Sequence, residues 1–265
     1  MGPTRQEKGE RFRALHEGDP FVIPNPWDPG SARALEAFGF EALATTSSGF
    51  ALSLGRNDGE VTLDEVVEHV RELDAATSLP VSADLENGYG REPEDAATAI
   101  ARTADAGAAG GSIEDWDADE GIYALDHAVE RVAAAVEAAR AAGFPFTFTA
   151  RAENHIRGNP DLDDTIARLQ AFERAGADVL YAPGLRDADE VRAVCEAVSK
   201  PVNVLAHGGL TLKAIAAAGG RRISVGGQLA WVAYGAAAAA AIEMRDSGEF
   251  GALRAQVQPK EWLGG

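Results

Sequence analysis

Short apolar runs with the character of strands alternate eight times with longer segments of helical periodicity, and this alternation limits the fold more than any other feature of the chain. The predicted strands are residues 21–24, 42–46, 80–84, 109–114, 146–150, 179–182, 202–205 and 222–225. Predicted helices separate them, at residues 31–38, 63–76, 93–106, 125–142, 163–175, 188–198 and 212–218. Such alternation predicts a parallel sheet covered by helices, and eight units close into a (β/α)8 barrel, the TIM barrel.

Glycines mark the ends of the predicted helices, and the length of the chain indicates a single domain. They follow five of the predicted helices: Gly39, Gly107, Gly143, Gly176 and Gly219. A glycine just past a helix takes the left-handed conformation that ends it. The 265 residues fit the roughly 250 that one barrel needs, and no Pro/Ser-rich linker divides them. We predict one barrel domain over residues 1–265, with a core at about 10–245 and a C-terminal tail at 246–265.

The acidic character of the chain excludes several classes of partner. The formal net charge is -18, so nucleic-acid phosphates and anionic membrane surfaces would be repelled. Cys195 is the only cysteine, which excludes an intramolecular disulfide and fits a reducing compartment. The N-terminal residues lack the apolar centre of a signal peptide, and no apolar run approaches the length of a membrane span. We expect a cytoplasmic protein with no nucleic-acid or membrane partner.

An alanine-rich stretch lies within residues 229–242 and is typical of a soluble helix. Large side chains are absent from residues 236–241. One explanation is a compositional bias toward alanine, the strongest helix former. The other is close packing of this helix against another subunit, and the sequence leaves both open.

Acidic side chains follow two neighbouring predicted strands. Asp84 and Glu86 come after the third strand, and Glu114 and Asp115 after the fourth. The loops after barrel strands meet at one rim, so these carboxylates should approach and repel one another. A hard cation relieves the repulsion, and Mg²⁺ takes oxygen ligands while keeping several waters. We predict Mg²⁺ (or Mn²⁺) on Asp84, Glu86 and Glu114; the alternative is that these acids cap helices or pair with arginines.

An arginine and a histidine follow the fifth predicted strand. Arg151 ends that strand, and in so acidic a chain it is a candidate to bind an anionic substrate group through two hydrogen bonds. The alternative for Arg151 is a salt bridge to Glu153 or Glu114. His155 is a candidate acid or base, and its alternative is a structural role within a hydrogen bond.

Polar and glycine-rich loops follow other strands. The run at residues 45–49 offers hydroxyls and backbone N–H groups for a carboxylate, and a simple polar turn is its alternative. Asp58, in the next loop, is either near that site or a solvated turn residue. Gly-Gly pairs at 208–209 and 226–227 follow the last two strands, where many barrels bind phosphate.

Four of these motifs occur in the order of a known family. They are Thr-Thr-Ser-Ser-Gly at 45–49, Ser-Ala-Asp-Leu-Glu-Asn-Gly-Tyr-Gly at 82–90, Ser-Ile-Glu-Asp at 112–115 and Thr-Ala-Arg at 149–151. Together they resemble the isocitrate lyase/phosphoenolpyruvate mutase superfamily. Residues 23–28 and 201–204 are similar to its small, phosphonomutase-like bacterial members. The resemblance covers about residues 10–245.

The resemblance implies a fold, an assembly and a substrate class. The fold is an α/β barrel that forms a homodimer or homotetramer, with the last helix exchanged between subunits. The cofactor is Mg²⁺, and the partner is a small-molecule 2-oxo acid or phosphonate substrate.

The resemblance also implies roles for individual residues. Asp84 matches the direct metal ligand, and Glu86 and Glu114 match acids that reach the metal through water. Arg151 matches the arginine that binds the substrate anion, and Asp58 matches an acid near the metal, although the loop before it is shorter here. The matched segments supply these candidate substrate-binding residues: Thr46, Ser48, Gly49, Asp84, Arg151 and Asn203.

Two segments depart from the family pattern. The lyases carry a catalytic cysteine in a lid after the fourth strand, whereas residues 116–123 are acidic here and contain no cysteine. Cys195 lies in a predicted helix elsewhere, so cleavage of isocitrate or methylisocitrate by that chemistry is disfavoured. An acidic lid would also cover a phosphonate dianion poorly, and the family's histidine after the sixth strand is absent from residues 181–184.

The leading functional hypothesis is a Mg²⁺-dependent lyase that breaks a C–C bond of a small 2-oxo acid through an enolate. Arg151 would orient the substrate, and the candidate proton donors are Asp58, Tyr89 and His155. Three alternatives stay open. They are a mutase or hydrolase of a P–C bond, a barrel that binds a 2-oxo acid without turnover, and a phosphate-binding barrel that uses the Gly-Gly loops.

Overall fold

The computed structural model describes residues 2–254 and contains every predicted strand. The strands are β1 (Phe21–Ile23), β2 (Leu43–Ala44), β3 (Val81–Asp84), β4 (Gly110–Glu114), β5 (Trp116–Asp117), β6 (Gly121–Ile122), β7 (Thr147–Arg151), β8 (Val179–Tyr181), β9 (Val202–Leu205) and β10 (Arg222–Ser224). Strands β5 and β6 were not predicted, and they form a short antiparallel hairpin after β4.

The predicted helices are also present, and two of them have their predicted bounds. The helices are α1 (Arg5–Glu17), α2 (Pro29–Ala37), α3 (Ser47–Ser53), α4 (Leu63–Ala76), α5 (Pro93–Ala106), α6 (Leu125–Ala141), α7 (Leu162–Arg174), α8 (Ala188–Ala197), α9 (Leu212–Ala217) and α10 (Gln228–Ser247). A 3₁₀ turn at Gly251–Arg254 follows α10. Residues 255–265 of the predicted tail lie outside the described residues.

Eight parallel strands pair in the order β1-β10-β9-β8-β7-β4-β3-β2. The backbone N–H of Ala44 donates to the carbonyl of Pro24 at 3.1 Å, which links β2 back to the end of β1. The sheet thereby curves into a nearly closed barrel with the helices outside. The predicted (β/α)8 fold is confirmed.

Alternation along strands such as β7 places apolar side chains on the outer face of the sheet and polar side chains inside the barrel. On β7, Phe148 and Ala150 belong to the main apolar core, between the sheet and the helices. Arg151, on the opposite face, reaches a cavity at the carboxyl end of the barrel. The fold can therefore place charges inside the barrel without disturbing the apolar layer that stabilises it.

Helix α1, which was not predicted, closes the other end of the barrel. It begins with a capping box in which Thr4 and Glu7 bind each other's backbone N–H groups. Its Phe12 is fully buried in a separate apolar cluster at the starts of the strands, with Phe21, Ile23, Ala42 and Ala109. Most other side chains of α1 are polar, so apolar periodicity gave no signal for it.

Helix α10 is exposed along most of its length. Ala230 is its only buried residue among those described, whereas these large apolar side chains are exposed: Trp231, Val232, Tyr234 and Ile242. No helix within residues 2–254 is long and apolar enough to cross a membrane.

Candidate active site

The side chain of Arg151, at the carboxyl end of β7, lies among three carboxylates. Its Nη1 atom is 2.7 Å from Asp84 Oδ1, and its Nη2 atom is 2.9 Å from both Glu114 Oε2 and Glu153 Oε1. The salt bridges considered as the alternative for Arg151 are therefore present, and Asp84 adds a third partner. Buried ion pairs of this kind fix the positions of their members.

The cluster carries more negative than positive charge around Arg151. Burial and the charge of Glu153 raise the pKa of Glu114, against the lowering effect of Arg151. Burial lowers the pKa of Arg151, but Glu153, Glu114 and Asp84 outweigh it and hold that pKa well above its usual range. The guanidinium of Arg151 is thus permanently charged, but its single positive charge does not balance the three carboxylates that it contacts.

Asp84 is held from two sides at the end of β3. Its backbone N–H donates to Thr45 Oγ1 at 2.7 Å, and its Oδ2 atom accepts the backbone N–H of Ser47 at 3.1 Å. With Arg151 on Oδ1, both carboxylate oxygens have a fixed donor. The carboxylate is therefore oriented before any ligand arrives.

Two more acids approach Asp84 from neighbouring loops. Burial, with the charges of Asp84 and Asp58, raises the pKa of Glu86 to about 7. Burial also raises the pKa of Asp58. A hydrogen bond with Ser47 opposes this shift, and the charge of Asp84 adds to it. The hydroxyl of Tyr89 donates to Glu86 Oε1 at 3.3 Å. Negative charge is thus concentrated in a partly desolvated region, which favours a bound cation or proton.

The loop that carries Glu86 has a strained backbone. Glu86 and Tyr89 have φ values of 47° and 64°, in the left-handed region that side chains other than glycine seldom adopt. Gly88 between them has φ 87°, and a Cβ atom there would lie 2.9 Å from the Cα of Ala96. Backbone strain of this kind is concentrated at functional sites.

Two cavities lie on either side of Arg151. The first, of 220 Å³, is lined by Thr46, Ser48, Asp84 and Asn203, among others. The second, of 340 Å³, is lined by Glu86, Tyr89 and Glu114, among others. Four residues line both cavities: Ser47, Asp58, Arg151 and Arg157. The structure therefore brings most of the predicted site residues to one region of the barrel rim.

The predicted carboxylate cradle forms the start of α3. Thr46 caps the helix, and its Oγ1 atom accepts the backbone N–H of Gly49 at 3.3 Å. Ser48 Oγ lies 3.2 Å from Thr46 Oγ1. A Cβ atom on Gly49 would lie 2.6 Å from Thr46 Cγ2, so this buried glycine permits close packing and does not line the cavity.

Asn203 lines the first cavity, and both ends of its amide are already bound. Its Nδ2 atom donates to Ser224 Oγ at 3.0 Å, and its Oδ1 atom accepts from Arg222 Nε at 2.8 Å. The side chain is fully buried.

The structure does not bring His155 or Asp115 to either cavity. His155 Nδ1 is 2.8 Å from Thr165 Oγ1, a hydrogen bond of the kind considered as its alternative role. Asp115 accepts the backbone N–H of Glu153 at 2.8 Å and forms a salt bridge with Arg168 at 3.0 Å.

Comparison with known proteins agrees with the superfamily resemblance. Residues 12–245 match the family described as phosphoenolpyruvate phosphomutase. The chain belongs to this family. A crystal structure of a Burkholderia cenocepacia J2315 protein, whose assigned class is lyase/mutase, is 54% identical with a TM-score of 0.95, over 98% of this chain and 97% of that one.

Two proteins with more specific names are also similar to this chain. An oxaloacetate decarboxylase of Paraburkholderia xenovorans (strain LB400) is 31% identical over 76% of this chain and 69% of that protein. A crystal structure of phosphonopyruvate hydrolase in complex with oxalate and Mg²⁺ has a TM-score of 0.83 and 25% identity, over 96% of this chain and 93% of that one. The chain is therefore an enzyme of a superfamily of lyases and mutases.

Sequence reasoning missed Arg157, which is a second arginine beside the carboxylates that contact Arg151. Its Nη2 atom lies 3.3 Å from Glu114 Oε1, and its Nε atom lies 3.3 Å from Glu153 Oε2. Its guanidinium covers the ring of Trp116, 3.5 Å from the ring centre. Arg157 lies in a loop beyond the strand end, where no spacing rule singles out an arginine.

The predicted lid, residues 116–123, contains the β5–β6 hairpin. Three of its acids surround one arginine: Arg91 lies 3.1 Å from Asp117, 2.9 Å from Asp119 and 2.8 Å from Glu120. The acidic character noted in the sequence is thus partly neutralised in the fold.

Proposed function

We propose that this member of the phosphoenolpyruvate phosphomutase family is a Mg²⁺-dependent lyase that breaks a C–C bond of a small 2-oxo acid through an enolate. The observation that carries the proposal is the contact of the partly buried Arg151 with Asp84, beside further acids that line the same two cavities. The site thus offers acids that can bind a cation and a guanidinium that can bind an anion. A 2-oxo carboxylate has oxygen atoms that can bind the cation and a negative charge that can bind the guanidinium.

The acids of the site have the chemistry that Mg²⁺ requires. Asp84 is the proposed direct ligand, and Glu86 and Glu114 are proposed to reach the ion through water. Burial and neighbouring acids raise the pKa values of Glu86 and Glu114, so negative charge on these two side chains is disfavoured unless a cation lies close to them. Within residues 2–254, no group of three acid, histidine or cysteine side chains is arranged to hold one metal ion. When bound, Mg²⁺ (or Mn²⁺) would supply a Lewis acid that stabilises negative charge on a substrate oxygen.

The protein's own side chains would bind, orient and protonate the substrate. Arg151 can exchange a bond with a carboxylate of the cluster for one with a substrate carboxylate, and Ser48 lines the cavity beside it. Asp58 and Tyr89 are the proposed proton donors to the enolate carbon. Asp58 lines both cavities, and burial and neighbouring acids raise the pKa of Tyr89, which keeps its phenol protonated.

Release of pyruvate from oxaloacetate tests the proposal, after subtraction of the metal-catalysed reaction measured without protein. We expect activity with Mg²⁺ and none with EDTA. Asp84→Ala should lower kcat by at least about a hundredfold. Asp105→Ala, which removes an exposed carboxylate from α5, should retain activity.

Each other outcome favours a different function. Equal activity of Asp84→Ala and the wild type would contradict the metal site. Turnover of phosphonopyruvate in place of oxaloacetate would support a P–C bond mutase or hydrolase. Binding of 2-oxo acids without turnover of any would support a protein that binds them without catalysis.

The proposal includes the assembly and location of the protein. We propose a homodimer or homotetramer that buries α10, because this helix exposes large apolar side chains such as Trp231 and Val232. Val232→Glu should lower the mass measured by light scattering, and Glu137→Gln, on the exposed face of α6, should not change it. A cytoplasmic location is supported by the single, free Cys195.

A further inference from the structure

The first cavity is also lined by a buried guanidinium, that of Arg222, which the proposed mechanism does not use. Arg222 begins β10, is only 4% exposed and lines the same cavity as Arg151. Its Nε atom donates to Asn203 Oδ1 at 2.8 Å. Its Nη1 atom is buried and has no hydrogen-bond partner among the described residues.

A continuous row of paired strand residues connects Arg222 with Arg151. Arg222 pairs with Asn203 of β9, Asn203 with Tyr181 of β8, and Tyr181 with Arg151 of β7. Side chains at paired positions project to the same face of a sheet, which is here the barrel interior. The guanidinium of Arg151 lies 5.3 Å from the ring centre of Tyr181, and Asn203 Nδ2 donates to Ser224 Oγ at 3.0 Å. The two arginines are thus joined by a polar strip along one wall of the cavity.

Arg222 differs from the other buried or partly buried arginines named here in its lack of acceptors. Arg151 has its three carboxylates, and Arg168 forms a salt bridge with Asp115 at 3.0 Å. Arg131 donates to two backbone carbonyl oxygens. No carboxylate within residues 2–254 forms a salt bridge with Arg222, which has one side-chain acceptor.

Burial lowers the pKa of Arg222 to about 10, so the group remains charged at neutral pH. Taking a charge out of water is strongly unfavourable unless an opposite charge accompanies it. The buried charge of Arg222 has no carboxylate partner within the described part of the chain, so an anion that enters the cavity would supply its counterion. The cavity volume of 220 Å³ admits a small acid, since one water takes about 30 Å³.

We propose that Arg222 binds a second carboxylate of the substrate, at the opposite end from the group bound by Arg151. The inference rests on the proposed lyase function and narrows its substrate class to dicarboxylates. Asn203 then acts as a positioning residue, because it fixes Arg222 Nε and leaves the Nη atoms for the incoming anion. A carboxylate there would supply both the missing counterion and the missing acceptor.

Calorimetric binding in the presence of Mg²⁺ tests this inference without turnover. The ligands are pyruvate, which has one carboxylate, and malate and 2-oxoglutarate, which have two. Arg222→Met should weaken both dicarboxylates at least about tenfold, as expected for loss of a charged hydrogen bond, and leave pyruvate within about twofold. Arg221→Met is the matched control, because Arg221 is adjacent, less buried and donates to the carbonyl of Gly18. It should bind all three ligands like the wild type.

Unchanged dicarboxylate affinity in Arg222→Met would overturn the inference. An equal loss of affinity for pyruvate would also overturn it, because it would indicate that Arg222 has only a structural role. If Arg222→Met does not fold, Arg222→Lys decides. It keeps the charge without the planar fork, and should weaken the dicarboxylates by at least about threefold while sparing pyruvate. A wild type that binds pyruvate but neither dicarboxylate refutes the subsite and leaves the lyase proposal intact. Dicarboxylate binding that depends on Arg222, without pyruvate release from oxaloacetate, refutes the lyase and supports the subsite.

Discussion

The Nη1 atom of Arg151 lies 2.7 Å from the Oδ1 atom of Asp84, so the proposed anion-binding residue is directly bound to the proposed metal ligand. Strands β3 and β7 present the two side chains from either side of β4. A substrate anion competes with Asp84 for the guanidinium, and a cation competes with Arg151 for the carboxylate. Each ligand therefore releases the residue that the other requires.

This relationship predicts positive cooperativity between Mg²⁺ and an anionic ligand. Oxalate should bind at least about fivefold more tightly with saturating Mg²⁺, which corresponds to about 1 kcal/mol of coupling. Mg²⁺ should gain the same factor from oxalate, because coupling is reciprocal. Calorimetry of each ligand with and without the other measures both factors. Asp84→Asn should abolish the coupling, and equal affinities in the wild type would refute it.

Crowding of the acids predicts that one substitution stabilises the metal-free protein. Glu86→Gln keeps the shape of the side chain and removes one negative charge from the neighbourhood of Asp84 and Asp58. With EDTA at pH 8, its free energy of unfolding should exceed that of the wild type by about 1 kcal/mol. Urea denaturation measures this, with Glu137→Gln as an exposed control that should change little. Added Mg²⁺ should stabilise Glu86→Gln less than the wild type; an equal gain would argue against Glu86 near the ion.

The barrel could be predicted from the sequence because its strands and outer helices obey strong periodicities. Helices α4 and α5 combine an amphipathic face with a clear start, at the cap Thr62 and at Pro93, and their bounds were predicted correctly. Helix α1 was missed because it places few apolar side chains, chiefly Phe12, against the barrel. The β5–β6 hairpin was missed because its strands are two residues long, too short for an alternating pattern.

The site could be predicted only as far as chain position determines it. Asp84, Glu114 and Arg151 lie at strand ends, so the fold brings them to one rim. Which acids contact Arg151 depends on side-chain geometry; sequence reasoning named Glu114 and Glu153 as partners, but not Asp84. Arg222 is the first residue of its strand, where an arginine in the sequence suggests a solvated residue. Its burial follows only from the inward face of β10.

The left-handed turn at Gly88 predicts a substitution that damages both stability and activity. In Gly88→Ala the new Cβ atom would lie 2.9 Å from the Cα of Ala96, and φ would remain at 87°. Gly143→Ala is the matched control, because Gly143 has φ 79° with no heavy atom within 4 Å of the added Cβ. The control should lose about 1 kcal/mol of unfolding free energy through backbone strain alone, and Gly88→Ala about 1–3 kcal/mol more. Only Gly88→Ala should lower kcat, because the loop of Gly88 carries Glu86. Equal stability of the two variants would show that Ala96 moves enough to accommodate the new Cβ atom.

The salt bridges of Arg91 predict an effect on activity that exceeds the effect on stability. Arg91→Met frees the acidic hairpin, which lines the second cavity through Trp116 and Asp117. Because these pairs are largely exposed, the free energy of unfolding should fall by about 1 kcal/mol or less. The KM for oxaloacetate should nevertheless rise several-fold. Arg102→Met, which breaks a similarly exposed pair with Asp64, should leave KM unchanged, and an unchanged KM in both variants would exclude a role for the hairpin.

The buried ring of His69 predicts a loss of stability in mild acid. His69 lies in α4 and stacks on Phe50 at 3.8 Å between ring centres, and its Nε2 atom has no hydrogen-bond partner among the described residues. Burial lowers its pKa to about 4, although Asp28 opposes the shift. The folded state therefore binds fewer protons than the unfolded state between about pH 4 and pH 6.5. The free energy of unfolding must fall as the pH falls through that window.

His69→Phe keeps the stacked ring and removes the titration, so it isolates this contribution. The variant and the wild type should have similar free energies of unfolding at pH 8. At pH 5 the wild type should have lost about 2 kcal/mol relative to the variant, as follows from pKa values of about 6.5 unfolded and about 4 folded. Urea denaturation at half-unit pH intervals gives the difference between the two curves, which cancels the titration of the carboxylates common to both. Parallel curves would mean that the ring accepts its proton in the folded state, and that the packing of α4 against Phe50 opens far more readily than its burial indicates.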